Sequence, residues 1–359
     1  LVDDDEAYYD ALSPLQNHPE TNKEKGGSLK IIYSPLHGCG IMTVPEGLRR
    51  WGFTSLSLVE KQADPNGSFP GARSPNPEQP AALKLGSAQL LKEKGDLFIA
   101  TDPDADRMGV VVNHRGKAIS LNGNQIASLC LFYLCNRPSL PENSAAVTTI
   151  VTTELFRKIA QAHNVTCFEV LTGFKYIGEK IHEWEHSHAH TFLFGAEESL
   201  GFLYGTHARD KDATIAACLI AEIALQLKKE RKTLVDLSEE LLKRFGPFLE
   251  RQLSVPFGGG EKGMVTMKNI MEDLRKSPPS EIDGEKVIET EDYLTGRTRE
   301  PLPRSNVFVL RMEDQTKFVI RPSGTEPKIK IYGLARYRDE AKLTAALSSI
   351  EKFLKRESP

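Results

Sequence analysis

The chain contains 359 residues, of which 40% are hydrophobic and 26% are charged, and its formal net charge is −3. This composition is typical of a globular protein with room for two or three domains. It argues against nucleic acid as a partner, because the charge is nearly balanced, and against a membrane protein, because no apolar run approaches about 18 residues. We therefore expect a cytoplasmic protein.

The pattern of apolar residues in the first part of the chain is typical of alternating strands and helices. It predicts strands over 29–33, 55–59 and 96–100 and helices over 43–51 and 78–92. Ligands in such sheets bind beyond the carboxyl ends of the strands. The loop that follows residue 100 is therefore a place where we expect a site.

Three carboxylates occupy that loop at every second position: Asp102, Asp104 and Asp106. Alternation in an extended segment brings such residues to one side, so three oxygen ligands of the kind that Mg²⁺ prefers can converge. Arg107 comes next and adds a fixed positive group suited to phosphate. The sequence therefore predicts a magnesium site equipped for phosphoryl transfer, with a solvated acidic turn as the alternative.

Two other kinds of acidic loop have different requirements. A calcium loop of the EF-hand type needs glycine and glutamate where this chain has Arg107 and Asn113, so that type is excluded. A phosphatase that resembles the haloacid dehalogenases needs threonine or valine where Asp106 lies. That phosphatase stays open as the weaker alternative.

The second part of the chain predicts another α/β layer, and the third part predicts a different order of elements. For the second part, we predict strands over 145–151, 165–170 and 191–194 and helices over 125–135, 154–163, 212–228 and 234–245. For the third part, we predict strands over 252–255, 307–311, 317–320 and 329–332 and helices over 265–275 and 339–355. Strands in runs before a terminal helix favour an α+β domain on a mainly antiparallel sheet.

Two segments of the second part contain candidate site residues. Glu197, Glu198 and Ser199 follow the strand at 191–194 and offer the acceptors and hydroxyl that sugar hydroxyl groups need, while an acidic first turn of a helix would explain the same letters. His207, Arg209 and Lys211 combine an acid/base candidate with two cations before the helix at 212–228. An exposed helix start is the alternative there.

Lys175 lies in the segment 171–176 and is a candidate phosphate contact, with a strand-to-helix turn as the alternative. The remaining histidines, those between 183 and 190 included, predict a polar surface loop whose spacing fits no metal-ligand pattern. The five cysteines are scattered and odd in number, which favours reduced thiols over disulfides or a zinc site.

Two glycine-containing segments stand out in the third part. Arg321, Ser323, Gly324 and Thr325 can form an anion cradle, with a hairpin turn as the alternative. Residues 258–263 match the letters G-x-G-x-x-G, but a lone match of this kind is weak, and we predict a flexible turn before a helix.

Taken together and in this order, the motifs resemble the α-D-phosphohexomutase superfamily, the phosphoglucomutases and phosphomannomutases. The matching segments are 34–38 (Ser-Pro-Leu-His-Gly), 102–107, 171–176, 197–199, 209–212 and 321–325. The Glu-Glu-Ser at 197–199 is similar to the glucose-type members, and to the branch that includes phosphopentomutases, more than to the mannose- or glucosamine-type members.

The resemblance implies an α/β protein with two consecutive α/β domains of similar topology, followed by an α+β domain of TATA-box-binding-protein-like topology. The implied bounds are 1–25 for a linker from a preceding domain, 26–120 for a metal-binding domain, 121–247 for a sugar-binding domain and 248–359 for a phosphate-binding domain.

The resemblance also implies a role for each candidate residue. Mg²⁺ is held by Asp102, Asp104 and Asp106. Arg107 lies against a phosphoserine, and His207 is the candidate acid/base. Contacts to the substrate come from Lys175, Glu197, Ser199, Arg209, Lys211, Arg321, Ser323, Gly324 and Thr325.

The family's phosphoserine belongs to a Thr-Ala-Ser-His-Asn-Pro-like motif, and no Ser-His-Asn-Pro segment occurs in this sequence. The chain also begins with leucine, so we expect a fragment or processed chain that lacks the phosphoserine domain and is inactive alone.

For the intact protein, the resemblance implies a Mg²⁺-dependent mutase that acts on small sugar phosphates. It interconverts hexose 1-phosphate and 6-phosphate, with glucose preferred and hexose 1,6-bisphosphate as intermediate and activator. A phosphopentomutase, a phosphomannomutase and a non-catalytic module that binds sugar phosphate and metal stay open as alternatives.

Overall fold

The structure, a computed structural model, describes residues 5–137, 139–324, 326–337 and 339–355. It divides the chain into two units, Leu1–Arg244 and Phe245–Pro359. The finer domain bounds given above stay predictions. Within the described ranges, no helix combines the length and the apolar character needed to span a lipid bilayer.

The first sheet of the first unit is parallel at one side and antiparallel at the other. Its strands are Ile31–Ser34 (β1), Leu56–Leu58 (β2), Leu97–Thr101 (β3), Met108–His114 (β4) and Lys117–Leu121 (β5). They lie in the order β2-β1-β3-β4-β5, with β1 parallel to β2 and β3 and with β4 and β5 antiparallel. Every residue of β1 and β3 is buried, as expected of strands covered on both faces.

Helices cover this sheet and also precede it. They are Asp5–Leu12 (α1), Pro19–Lys25 (α2), Val44–Arg50 (α3) and Pro80–Lys92 (α4). The segment 1–25, expected as a linker, thus contains α1 and α2, and Tyr9 and Leu12 of α1 are buried. Apolar burial makes residues 5–25 a packed part of the first unit.

The second sheet repeats the order and the directions of β2, β1, β3 and β4 in the first sheet. Its strands are Ser144–Thr149 (β6), Thr166–Val170 (β7), Thr191–Glu197 (β8) and Gly201–Tyr204 (β9). They lie in the order β7-β6-β8-β9, with β6 parallel to β7 and β8 and with β9 antiparallel to β8. The helices of this part are Gly123–Cys135 (α5), Glu154–Ala162 (α6), Lys175–Ser187 (α7), Ala213–Lys229 (α8) and Leu234–Phe245 (α9). The prediction of two α/β layers of similar topology is confirmed.

Helix α8 packs on elements of both sheets, because it contacts α3 and β3 as well as α5 and β9. Its Glu222 is completely buried. The carboxylate accepts hydrogen bonds from the backbone N–H groups of Asn17 and His18, from the side-chain amides of Asn17 (2.9 Å) and Asn22 (2.6 Å), and from the hydroxyl of Tyr133 (3.0 Å). These donors satisfy a charge that would otherwise be costly to bury.

The second unit is an antiparallel sheet with helices packed on it. Its strands are Leu249–Pro256 (β10), Glu281–Ile282 (β11), Glu285–Asp292 (β12), Phe308–Met312 (β13), Lys317–Pro322 (β14) and Lys328–Ala335 (β15), in the order β10-β15-β14-β13-β12-β11. The helices Gly260–Lys276 (α10) and Glu340–Lys355 (α11) bury Met271 and Leu343 in one core with Phe308, Phe318 and Ile331. The predicted α+β class is confirmed.

Two predictions about polar segments have different outcomes. The polar loop predicted over 183–190 is wrong at its start, because residues 183–187 belong to α7, whose buried Ile177, Ile181 and Trp184 recur at helical spacing. The glycine-rich segment 258–263 leads into α10 after an antiparallel strand, as the turn interpretation predicts.

Candidate functional site

The acidic segment is a closed turn between β3 and β4. Oδ1 of Asp102 accepts the backbone N–H groups of Asp106 (3.1 Å) and Arg107 (2.9 Å), and the N–H of Ala105 donates to the carbonyl oxygen of Asp102 (3.0 Å). Ala105 has a φ of 56°, in the left-handed region. The loop is therefore held by its own first carboxylate, in a turn and not in the extended form from which we predicted convergence.

The three aspartates nevertheless converge. Asp102, Asp104 and Asp106 each offer an oxygen, and these atoms lie within 4.8 Å of one another. Oδ1 of Asp106 is buried and accepts no hydrogen bond from the described residues. Three carboxylate oxygens close together, one of them without a hydrogen bond, fit a cation such as Mg²⁺.

The electrostatics of the loop also favour a cation. The pKa of Asp102 is raised to about 7, mainly because the carboxyl is buried. The backbone hydrogen bond from Arg107 lowers this pKa, while the charges of Asp106 and Asp104 raise it further. A carboxyl with a raised pKa has lost solvation for its charge, and a bound cation restores that stabilisation.

Positive side chains reach the loop from two directions. Nε of Arg107 lies 3.7 Å from Oδ2 of Asp102 and 3.7 Å from Oδ1 of Asp106. Nζ of Lys211 lies 2.5 Å from Oδ2 of Asp106. Burial alone would lower the pKa of Lys211, but Asp106 raises it above its ordinary value, so the lysine is protonated.

Residues 34–39 pack against the acidic loop. The N–H of Cys39 donates to the carbonyl oxygen of Pro103 (2.8 Å). A Cβ atom on Gly38 would lie 2.3 Å from Cα of Pro103, so only glycine fits this approach. His37 is buried, with Nε2 accepting the N–H of Gly71 (3.0 Å) and Nδ1 donating to the carbonyl oxygen of Asp64 (2.9 Å). This motif therefore positions the acidic loop.

Backbone hydrogen bonds join the acidic loop to the second α/β layer. The N–H of Met108 donates to the carbonyl oxygen of Leu200 (3.0 Å), and the N–H of Ala213 donates to that of Ala105 (3.1 Å). Arg107 and Gly201 also form an antiparallel bridge. The candidate metal loop, the loop after β8 and the start of α8 are thus fixed against one another.

Glu197 lies at the end of β8 beside these contacts. It is buried, and its Oε1 accepts the N–H of Gly173 (2.7 Å). Burial raises the pKa of Glu197, while the N–H of Gly173 and the charges of Lys211 and Arg107 act against that shift. A Cβ on Gly201 would lie 2.4 Å from the Lys211 side chain, so glycine lets that lysine pass towards Asp106.

Glu198 and Ser199 follow Glu197 in the loop and are half-buried. Oε2 of Glu198 accepts a hydrogen bond from the Thr149 hydroxyl (3.3 Å), which ties this carboxylate to the end of β6.

His207 is engaged at the start of α8. Its side chain is 7% exposed, and its Nε2 lies 2.8 Å from Oδ2 of Asp212. The hydroxyl of Tyr8 donates to the same oxygen (2.8 Å), while Oδ1 of Asp212 caps α8 by accepting the N–H groups of Thr214 and Ile215. Tyr8 is a residue of this cluster that sequence reasoning missed, because it lies in the segment expected as a linker.

The contacts that the structure gives for Arg209 and Lys175 are with residues outside the acidic loop. Arg209 donates to the carbonyl oxygens of Thr206 and Ala208 and pairs with Glu185 of α7. Nζ of Lys175 lies 4.9 Å from the ring centre of Tyr176. The substrate roles of both residues stay predictions.

The candidate phosphate loop belongs to the second unit. Arg321 is on β14, and the N–H of Ser323 donates to the carbonyl oxygen of Lys328 (2.8 Å) at the connection to β15. Gly324 is exposed, and Thr325 lies outside the described residues. The segment is a hairpin connection, and its role as a phosphate clamp stays a prediction.

Comparison with known proteins agrees with this arrangement. Residues 6–116 match the family model for phosphoglucomutase/phosphomannomutase α/β/α domain II, and residues 122–245 match the model for α/β/α domain III. The chain is 38% identical over 313 residues to a phosphoglucomutase of Staphylococcus haemolyticus and 37% identical over 314 residues to one of Staphylococcus epidermidis. Each alignment covers 85% of this chain and 57% of the relative, so the chain spans little more than half the length of these relatives.

Solved structures share the fold. A phosphoglucomutase/phosphomannomutase family protein of Burkholderia thailandensis superposes with a TM-score of 0.67 at 16% identity, covering 99% of this chain and 66% of the other. Parafusin, a phosphoglucomutase of Paramecium, superposes with a TM-score of 0.69 at 16% identity, covering 97% of this chain and 61% of the other. The two matched domains, the curated relatives and this shared fold lead to one conclusion: the chain belongs to the α-D-phosphohexomutase superfamily.

Proposed function

We propose that the protein to which this chain belongs is a Mg²⁺-dependent phosphosugar mutase that interconverts hexose 1-phosphate and hexose 6-phosphate, with glucose preferred. A phosphoserine transfers its phosphate to one end of the sugar, the hexose 1,6-bisphosphate reorients, and the other phosphate returns to the serine. The observation that carries this proposal is the ion pair between Lys211 and Asp106, which joins the candidate substrate-binding segment before α8 to the candidate metal loop.

A metal held by Asp102, Asp104 and Asp106 would neutralise negative charge on the transferring phosphoryl group. The chain's own cations add to that effect. Arg107 offers a planar fork of N–H donors suited to phosphate oxygens. Lys211 is protonated at the edge of the same loop and can turn part of its charge from Asp106 to a phosphate.

Glu197 and Ser199 are proposed to bind sugar hydroxyl groups. Oε1 of Glu197 is held by the N–H of Gly173, which fixes the carboxylate in one orientation and leaves acceptor capacity on the group. Because the bisphosphate must bind in two orientations, contacts to hydroxyl groups near the middle of the sugar serve both. Lys175 and Arg209 are proposed as further substrate contacts.

The non-transferring phosphate is proposed to bind to Arg321, Ser323, Gly324 and Thr325. An arginine fork, hydroxyl groups and a glycine backbone form a suitable anion cradle. The proposal rests on residue chemistry and on the family's motif order.

His207 is proposed as an acid/base, with one condition. Its Nε2 faces Asp212, as in arrangements where a carboxylate orients an imidazole, while Nδ1 is buried and has no hydrogen-bond partner among the described residues. Proton transfer through His207 therefore requires substrate to reach Nδ1 when it binds.

The choice of glucose rests on the curated relatives, which are named phosphoglucomutases. It is tested by calorimetric titration of this chain, in Mg²⁺, with glucose 1,6-bisphosphate, mannose 1,6-bisphosphate and ribose 1,5-bisphosphate. We expect the glucose compound to bind most tightly. If the ribose or mannose compound binds more tightly, that sugar is the preferred substrate instead of glucose. If none of the three compounds binds, the proposal of a sugar-phosphate site is wrong.

Turnover is measured separately on the same material, as conversion of glucose 1-phosphate to glucose 6-phosphate. We expect none from the 359 residues alone, because they contain no Ser-His-Asn-Pro segment to supply the phosphoserine. Steady turnover by the pure chain would contradict that expectation. Bisphosphate binding without turnover is the result that the proposal predicts.

A further inference from the structure

Helix α7 presents a pair of histidines one turn apart on its exposed face. His182 and His186 are both exposed, and their ring centres lie 4.5 Å apart. The five residues from His182 to His186 spell H-E-x-x-H, an arrangement that on a helix places two imidazoles side by side as metal ligands. The spacing looked uninformative while this segment was expected to be a loop, and it becomes meaningful on a helix.

The separation of the rings suits a shared ion. A metal bound to a ring nitrogen at about 2.1 Å lies about 3.2 Å from the ring centre. Two imidazoles whose bonds to one metal ion meet at a right angle therefore have ring centres about 4.6 Å apart. The separation of 4.5 Å between His182 and His186 matches this value.

One ring already has the protonation pattern of a metal ligand. Nδ1 of His186 lies 2.9 Å from the carbonyl oxygen of His182, and because a carbonyl only accepts, Nδ1 donates, which leaves the lone pair of the neutral ring on Nε2. Metal-bound histidines commonly donate their other N–H to a backbone carbonyl in this way. Glu179 is exposed one turn earlier on the same helix and adds negative charge nearby.

The motif does not form a peptidase site. The glutamate that would serve as general base, Glu183, pairs with Lys180 at 2.8 Å. Within the described ranges, the histidine pair also belongs to no cluster of three residues that could ligate a metal together. The remaining coordination positions of an ion would therefore be filled by water.

We propose that His182 and His186 form a surface site for a divalent transition-metal ion, of the class that prefers imidazole over carboxylate: Zn²⁺, Ni²⁺ or Cu²⁺. The site is separate from the acidic loop, whose oxygen ligands suit Mg²⁺. Binding links two successive turns of α7 and stabilises the folded helix, because the unfolded chain does not hold the two rings together.

The experiment is calorimetric titration of the whole chain with Ni²⁺, with excess Mg²⁺ present to occupy the acidic loop. We expect one Ni²⁺ per chain and a higher melting temperature when Ni²⁺ is bound. His182→Ala and His186→Ala should each weaken binding by about tenfold or more, at least the loss that follows removal of an outer partner of a metal ligand.

Two variants serve as matched controls. His188→Asn removes an exposed imidazole from the end of the same helix, where φ is 54° and asparagine is tolerated. Asp104→Asn removes a ligand of the acidic loop. Both should keep the Ni²⁺ affinity of the parent chain. An absence of Ni²⁺ binding in the parent, unchanged binding in His182→Ala and His186→Ala, or loss of binding in either control would each overturn the proposal.

Discussion

The ammonium group of Lys211 lies 2.5 Å from the carboxylate of Asp106. Asp106 lies in the turn between β3 and β4 of the first sheet, and Lys211 lies between β9 of the second sheet and α8. The lysine reaches the aspartate past Gly201, where a Cβ atom would lie 2.4 Å from the lysine side chain and force it to shift. Asp106 is a candidate metal ligand and Lys211 precedes the helix that follows the candidate sugar loop. The pair is therefore the point at which metal binding and sugar-phosphate binding can influence each other.

Lys211→Met should weaken binding of glucose 1,6-bisphosphate by about tenfold or more, because a hydrogen bond to a charged group contributes about 1.5–3 kcal/mol. Mg²⁺ affinity should stay equal or rise, since the ammonium group no longer competes for Asp106. Methionine keeps the length of the lysine stem. Calorimetric titration with each ligand measures the two effects.

Lys211→Arg is the matched control and should retain most of the bisphosphate affinity. If Lys211→Met loses Mg²⁺ binding and bisphosphate binding together, the lysine is needed to hold the loop in shape, and its proposed contact with phosphate is wrong.

The second prediction concerns the raised pKa of Asp102, about 7 in the folded chain against about 3.9 in an unfolded one. A carboxyl whose pKa is raised by folding destabilises the fold as the pH rises from about 4 to 7, because the folded state binds the proton more tightly. Asp102→Asn removes that penalty. In EDTA the variant should melt higher than the parent at pH 8 and close to it at pH 4.

Added Mg²⁺ should raise the melting temperature of the parent and leave that of Asp102→Asn unchanged. If the variant is less stable than the parent at pH 8 in EDTA, the buried charge of Asp102 is not a cost to the metal-free fold.

The third prediction concerns the support under the acidic loop. In Gly38→Ala the new Cβ would lie 2.3 Å from Cα of Pro103, so the loop must shift. We expect weaker Mg²⁺ binding in a chain that still folds. Gly67→Ala is the control, since a Cβ at Gly67 meets no atom within 4 Å. Equal Mg²⁺ affinity in Gly38→Ala and the parent would show that this contact does not position the aspartates.

The fourth prediction concerns Glu222, the buried carboxylate that accepts hydrogen bonds from Asn17, His18, Asn22 and Tyr133. In Glu222→Gln an NH₂ group takes the place of one carboxylate oxygen. That NH₂ group cannot accept a hydrogen bond, so some of the buried donors lose their acceptor. The free energy of unfolding should fall by about 2–4 kcal/mol, measured by urea denaturation. Glu239→Gln, on the exposed face of α9, should change it little. Equal losses in the two variants would contradict the role of the buried network.

Much of the fold could be predicted because its strands and helices follow local patterns. The apolar run of β3 followed by Asp102, Asp104 and Asp106 was visible as a strand with a site at its end. Strand β4 and helix α7 were missed although both left signals: β4 contains an uninterrupted valine run, and α7 has Ile177 and Ile181 one turn apart among polar residues. In α7 the buried apolar residues stand among charged and polar ones, which makes the helical period weak in the sequence.

The closing contacts of the site could not be predicted. The pairing of Lys211 with Asp106 and the sharing of Asp212 by Tyr8 and His207 join residues far apart in the chain. Such contacts depend on how the sheets pack and leave no periodic signal in the sequence. The sequence indicated His207 as an acid/base candidate, but it gave no sign that Asp212 would hold the imidazole.

The most direct measurement of the central claim is calorimetric titration of Mg²⁺ into the chain, compared with Asp104→Ala and with Asp210→Asn. Asp104 belongs to the aspartate cluster, while Asp210 is an exposed acid next to Lys211 and outside it. We predict one Mg²⁺ site in the parent and in Asp210→Asn, and none in Asp104→Ala. Equal Mg²⁺ binding by Asp104→Ala and the parent would contradict the assignment of the acidic loop as the metal centre.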